Sequence, residues 1–113
     1  MIRKIYNGLV YSCQGIVATF ATEPSFRVEI LAIPFLLLLL GFLDISLFRK
    51  LIMLAIYLVI PCVELLNSAI EKLADRLTTN HDLTIQFVKD AASAAVMVSV
   101  IIVTIAWIAC ICF

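Results

Sequence analysis

The stretch AASAAVMVSVIIVTIAWIACICF, residues 91–113, carries no charged side chain. It is longer than the roughly 20 residues an α-helix needs to cross a hydrocarbon core. Backbone groups find no water there and must bond one another, so the segment reads as a membrane-spanning helix. Two further apolar stretches precede it. Residues 29–48 contain the run Ile33–Phe42, with Asp44 near the far end, and residues 51–70 are interrupted by Glu64 and Asn67. The second of these continues as a helix to about residue 77. The short Asp44–Lys50 link makes the first two spans an antiparallel hairpin.

Composition agrees. The chain has 113 residues, of which 65% are hydrophobic and 14% charged, with a mean hydropathy of +1.18. A soluble domain of this length buries only about two thirds of the surface its unfolded chain exposes, too little to hide that apolar excess. Soluble globular, disordered and fibrous classes are excluded, and a single small all-α membrane domain remains. Net charge is zero, and no basic block points to nucleic acid. Cys13, Cys62, Cys110 and Cys112 lie in apolar context and read as small buried hydrophobes. His81 is far from all four in sequence, so no zinc-ligand spacing arises. Cys110 and Cys112 face different sides of one helix.

Residues 1–24 read differently from the spans. Ile2, Leu9 and Ile16 recur at seven, as do Tyr6, Cys13 and Phe20, with Arg3, Lys4, Asn7, Ser12 and Gln14 largely elsewhere. That pattern predicts an amphipathic helix lying in the membrane interface. Ser12, Gln14 and Gly15 interrupt the apolar centre that a cleaved signal peptide needs. Pro24 disfavours a helical residue before it, ending this helix, and Ser25 is the expected cap of the next. With three spans, Arg3, Lys4, Arg27, Lys72, Arg76 and Lys89 share one side, against Arg49 and Lys50 on the other. The excess places the N-terminus in the cytoplasm, with residues 78–85 as a cytoplasmic loop. Pro34 and Pro61 are expected to bend their helices.

The chemistry concentrates in one segment. No P-loop, Rossmann glycine pattern or nucleophile elbow is present, so any phosphate must be handled by side chains and a metal. In ELLNSAIEKLADR, residues 64–76, Glu64, Asn67, Ser68, Glu71 and Asp75 fall on one helical stripe. Seven residues at about 1.5 Å each put Glu64 about 10 Å deeper than Glu71. A charged carboxyl at that depth costs about 2.5 kcal/mol or more, so it faces protein or water. The bland alternative is a protonated Glu bonding another helix; five polar residues on one stripe favour function. Glu23, Glu29 and Asp90 are expected at the same leaflet. Glu23 and Glu71 can supply the one or two carboxylates that a phosphate-bound Mg²⁺ needs, with Lys89 and Lys4 or Arg3 neutralising phosphate oxygens.

This same run resembles the E-[IL]-L-N-S-A-I-E-x-x-x-D-R signature of the small integral membrane diacylglycerol kinases of bacteria. The likeness extends along nearly the whole chain: Tyr11-Ser12 with Gly15, Glu23 followed by Phe26-Arg27-x-Glu29, Lys89-Asp90, and Ser93-Ala94-Ala95-Val96. The resemblance implies a homotrimer that transfers the γ-phosphate of MgATP to the free hydroxyl of diacylglycerol, giving phosphatidic acid. It implies Glu64 as catalytic base and Glu23 and Glu71 as metal carboxylates. Nucleotide contacts would come from Lys4, Tyr11, Glu23, Glu71, Asn80, His81, Asp82, Lys89 and Asp90. Ser12, Glu29, Glu64, Asn67 and Ser93 would surround the lipid hydroxyl. The chain departs from the family pattern at Lys4, Cys13-Gln14, Pro61, Asn80-His81-Asp82 and Ala92.

Three other readings follow from the same residues. An undecaprenol kinase is a sister activity on the same scaffold, though the segment from Glu64 to Arg76 favours diacylglycerol. A small multidrug-type proton-coupled transporter also carries a membrane Glu, but has four spans where this chain has three. A purely structural membrane subunit needs no acidic stripe.

Overall fold

A computed structural model describes residues 1–78 and 80–113. The described residues form five helices: α1 (Ile2–Thr22), α2 (Pro24–Phe42), α3 (Leu47–Tyr57), α4 (Val59–Leu77) and α5 (Leu83–Cys112). By length and apolarity three helical runs can cross a membrane: Pro24–Phe42, Leu47–Leu77 and Leu83–Cys112. The run Leu47–Leu77 joins α3 and α4 end to end. Their joint falls where Pro61 has no N–H to offer the Tyr57 carbonyl. The flanking bonds persist, Leu58 N–H to Leu54 O at 3.3 Å and Cys62 N–H to Leu58 O at 3.2 Å, so the helical path continues past the break. Pro34 sits inside α2 without interrupting it.

Helix ends explain the connections. Ser46 caps α3 by accepting from the Arg49 N–H, and the α2–α3 link is confined to residues 43–46. The apolar residues Leu47 and Phe48 therefore begin α3 rather than prolong α2. Asp82 caps α5, its Oδ1 accepting from the Thr84 and Ile85 N–H groups at 2.9 and 3.0 Å, so the helix starts at Leu83 within the stretch read as loop. The cap expected of Ser25 falls elsewhere. Glu23 takes the cap position of α2, and Pro24 its first turn, where the missing N–H leaves no bond unmade.

Apolar burial does not drive helices together in lipid, where packing and interhelical hydrogen bonds do the work. Tyr57, Ile60 and Val103 form the core, with Ile33, Leu36, Ile56 and Trp107 packed around them. Three side chains stitch the spans through backbone carbonyls. Tyr57 Oη donates to Glu29 O at 2.6 Å, and Trp107 Nε1 donates to Met53 O at 3.0 Å. Arg49 donates to Cys110 O at 3.2 Å and Phe113 O at 2.9 Å, meeting the unpaired carbonyls at the negative end of α5. We expect Arg49→Met to lower stability in detergent by about 1 kcal/mol, a charged hydrogen-bond pair discounted for solvent exposure. Thermal unfolding checks this; an unchanged melting temperature would show that the clamp holds nothing.

Candidate active site

The corner between α1 and α2 sets one wall of the site. Arg27, counted from the sequence among the charges on the N-terminal side, caps the end of α1. Its Nε donates to Phe20 O at 3.0 Å and its Nη2 to Ala21 O at 2.9 Å, and its guanidinium stands 5.9 Å from the Phe20 ring centroid. Lys72 of α4 reaches the same corner, donating to Thr22 Oγ1 at 3.1 Å and lying 3.8 Å from Glu23 Oε1. Glu23 is thereby fixed at the turn between α1 and α2, facing α4.

On α4, Glu64 and Ser68 are buried, 7% and 3% exposed. Asn67 and Glu71 are half-buried. The charges of Glu23 and Glu71 both reach Glu64, and Glu29 of α2 couples to it as well. The ion pairs among the described residues are Lys72–Glu23 and Lys89–Asp75, so no cation is paired with Glu64. Three buried polar atoms in this zone have no hydrogen-bond partner: Glu29 Oε1, Asn67 Oδ1 and Ser68 Oγ. Buried polar groups are normally satisfied, and three orphans beside a buried acid mark a place for a polar ligand.

A second feature lies at the polar end of α4 and α5. Asp75, Thr78, Asn80, His81, Asp82, Ile85, Gln86 and Lys89 line a groove of about 270 Å³. Lys89 is paired with Asp75 across the two helices. Gln86 Nε2 donates to Asp90 Oδ1 at 2.8 Å, which holds Asp90 beside the groove. Glu71 joins the two features, since its charge reaches both Glu64 and Lys89. An acidic, buried end and a mixed-charge, exposed end are therefore continuous along α4.

The structure thus brings together Glu23, Glu29, Glu64, Asn67 and Glu71 in one zone, and Asn80, His81, Asp82 and Lys89 in the adjoining groove. Others it does not join to that zone by any hydrogen bond or ion pair among the described residues. Lys4 and Tyr11 line a separate cleft on α1 with Met1, Arg3, Asn7 and Gly8. Ser12 is exposed and donates to Gly8 O at 2.8 Å, and Ser93 is exposed on α5. Asp75, on the predicted stripe but not among the predicted site residues, is the partner that holds Lys89. The stripe itself was the signal for it. The four cysteines are free, and none is buried as expected: Cys110 is half-buried, and Cys13, Cys62 and Cys112 face outward from the chain.

Among the described residues no group of three or more His, Cys, Asp or Glu stands ready to cage a metal. A Mg²⁺ arriving on a polyphosphate keeps its waters and phosphate oxygens and asks for only one or two carboxylates. Glu23 and Glu71, both within electrostatic reach of Glu64, fit that requirement; a structural metal cage does not.

These features define a small all-helical membrane protein with a buried acid beneath a polar groove. Residues 10–111 match the family of prokaryotic diacylglycerol kinases. The chain is 35% identical to a diacylglycerol kinase of Pseudomonas aeruginosa, over 94% of its own length and 86% of the relative's. The diacylglycerol kinase of Haemophilus influenzae is also 35% identical, with 94% and 90% covered. That of Escherichia coli is 30% identical, with 92% and 85% covered. The chain belongs to the prokaryotic diacylglycerol kinase family.

Proposed function

We propose that this chain is a lipid kinase that moves the γ-phosphate of ATP onto the free hydroxyl of diacylglycerol at a bacterial inner membrane. The observation that carries the reading is the buried Glu64, with no cation paired to it among the described residues, linked through Glu71 to the mixed-charge groove. A diglyceride's alcohol sits just beneath the headgroup plane; in this reading Glu64, about two turns inward from Glu71 on the α4 stripe, meets it there. Glu64 takes the proton from that hydroxyl as general base. Glu29, Asn67, Ser12 and Ser93 position the lipid. Phosphoryl transfer otherwise demands placement and charge neutralisation. Asn80, His81 and Asp82 shape the loop beside the nucleotide, Lys89 meets its phosphate oxygens, and Asp90 and Gln86 hold that end of α5 in place. When bound, Mg²⁺ supplies neutralisation of the triphosphate, with Glu23 and Glu71 as its protein ligands.

The N-terminus is cytoplasmic in this reading, which the lysine and arginine distribution supports. Helix α1 lies along the interface; it buries none of its residues and exposes Ile2, Ile5, Leu9 and Val17. The active form is a homotrimer. Support comes from Lys4, Tyr11, Ser12 and Ser93, which the single chain leaves exposed and which a neighbouring copy can cover.

Purified protein mixed with MgATP and diacylglycerol micelles is expected to form phosphatidic acid. Preferential phosphorylation of undecaprenol would move the assignment to that substrate, and no lipid-dependent ATP use would end the kinase reading.

A further inference from the structure

Hydroxyls on these helices mostly bond back to their own backbone. Ser12, Thr19, Thr22 and Thr104 each donate to the carbonyl four residues earlier, at 2.7–2.8 Å, and Ser99 donates to Val96 O at 2.6 Å. That habit satisfies a hydroxyl in an apolar setting at little cost. Ser68 departs from it. It is 3% exposed, yet its Oγ has no partner, the only hydroxyl among the buried unsatisfied atoms of the described residues. A buried hydroxyl left unpaired is destabilising, so its natural partner is a group absent from the chain itself.

Position narrows what that group is. Ser68 lies one turn from Glu64 on the same face of α4, toward Glu71. The other orphans, Glu29 Oε1 and Asn67 Oδ1, are pure acceptors, whereas a serine also donates. Glu64 and these oxygens can take the single proton of a lipid alcohol; of the orphaned atoms, the Ser68 hydroxyl is the one with a hydrogen to give to an acceptor on the lipid. The ester carbonyls of a diglyceride are such acceptors, a few bonds from its alcohol. A polyprenol has an alcohol and no carbonyl. Between Tyr57, which bonds Glu29 O of α2, and Lys72, which reaches Glu23 at the α1–α2 corner, no side-chain hydrogen bond or ion pair joins α2 to α4 among the described residues.

We propose that Ser68 is a specificity-determining residue whose Oγ–H donates to an ester carbonyl of the lipid, sorting glycerides from alcohols that lack one. The assignment rests on the lipid-kinase reading above. A site built around a hydrogen bond discriminates against the analogue that cannot make it, because the buried group is then left unpaired.

The test crosses the residue with the substrate. Wild-type protein, Ser68→Ala and Ser68→Cys are assayed with a 1,2-diacylglycerol, its 1,2-dialkyl ether analogue and a polyprenol. One hydrogen bond corresponds to about tenfold in kcat/KM. The wild type is expected to prefer the diacyl lipid about tenfold over the ether. Ser68→Ala is expected to lose about tenfold on the diacyl lipid alone, bringing the ratio near one, with a melting temperature no lower than the wild type's, since an unpartnered buried hydroxyl is removed. Ser68→Cys keeps the volume with a weaker donor and is expected to fall between. Equal losses on both glycerolipids, or a ratio that survives both substitutions, would overturn the assignment. So would a wild type that treats ester and ether alike, an outcome that leaves the kinase reading intact. A wild type inactive on all three lipids would instead overturn that reading and the role of Ser68 with it.

Discussion

Glu64→Gln is expected to lower kcat for lipid phosphorylation by about 10³-fold while leaving the melting temperature in detergent near that of the wild type. The amide has the carboxyl's shape and keeps its hydrogen-bonding reach, so packing around the 7%-exposed position is retained. What it loses is the capacity to take a proton, and general base catalysis contributes roughly 10²–10⁴ to a rate. KM for ATP is expected to hold, because the phosphates are met by groups further along α4 and α5. A structural Glu gives the opposite pattern. If Glu64 served as an interhelical hydrogen bond, Gln would preserve both fold and turnover, and full activity in Glu64→Gln would sink the base assignment. Glu64→Asp separates distance from chemistry: it retains the base, withdraws it by one methylene, and is expected to keep partial activity.

Much of this arrangement is written in side-chain pattern. The charge-free stretch from Ala91 onward dictates a membrane helix, and the 3.6-residue period puts Glu64, Asn67, Ser68, Glu71 and Asp75 on one stripe before any coordinates exist. What escapes a sequence reading is any interaction whose acceptor is a backbone carbonyl. Arg27 on Phe20 O and Ala21 O, Arg49 on Cys110 O and Phe113 O, and Trp107 on Met53 O have partners that every residue type offers equally, so no pattern announces them. Helix ends escape for a related reason. Pro24 is compatible both with ending α1 and with opening α2, and only its place in the first turn of α2 moves the cap from Ser25 to Glu23. The Asp75–Lys89 pair needs the antiparallel register of α4 and α5, which spacing along either helix does not contain. Ser68 escapes for the reverse reason: its stripe position was legible, but that its hydroxyl declines the usual backbone bond is a rotamer fact.

Replacement of the two carboxylates at the polar end gives the second large effect. Glu71→Gln is expected to raise the Mg²⁺ concentration for half-maximal activity by about 10²-fold, at least the penalty seen for outer-shell partners of bound metals. Glu23→Gln is expected to raise it less. Glu23 already shares its charge with Lys72 at 3.8 Å, whereas Glu71 has no such ion-pair partner among the described residues and reaches both Glu64 and Lys89. The double variant is expected to show less than the product of the single losses, because two groups on one ion act as a unit. Mn²⁺ binding followed by electron paramagnetic resonance in the presence of a non-hydrolysable ATP analogue supplies a readout independent of turnover. Weaker Mn²⁺ binding in both single variants supports shared ligation. If instead the Mg²⁺ requirement stays fixed while kcat falls, the two acids act on the phosphates' surroundings and not on the ion. A partner subunit must then supply the metal's protein ligands.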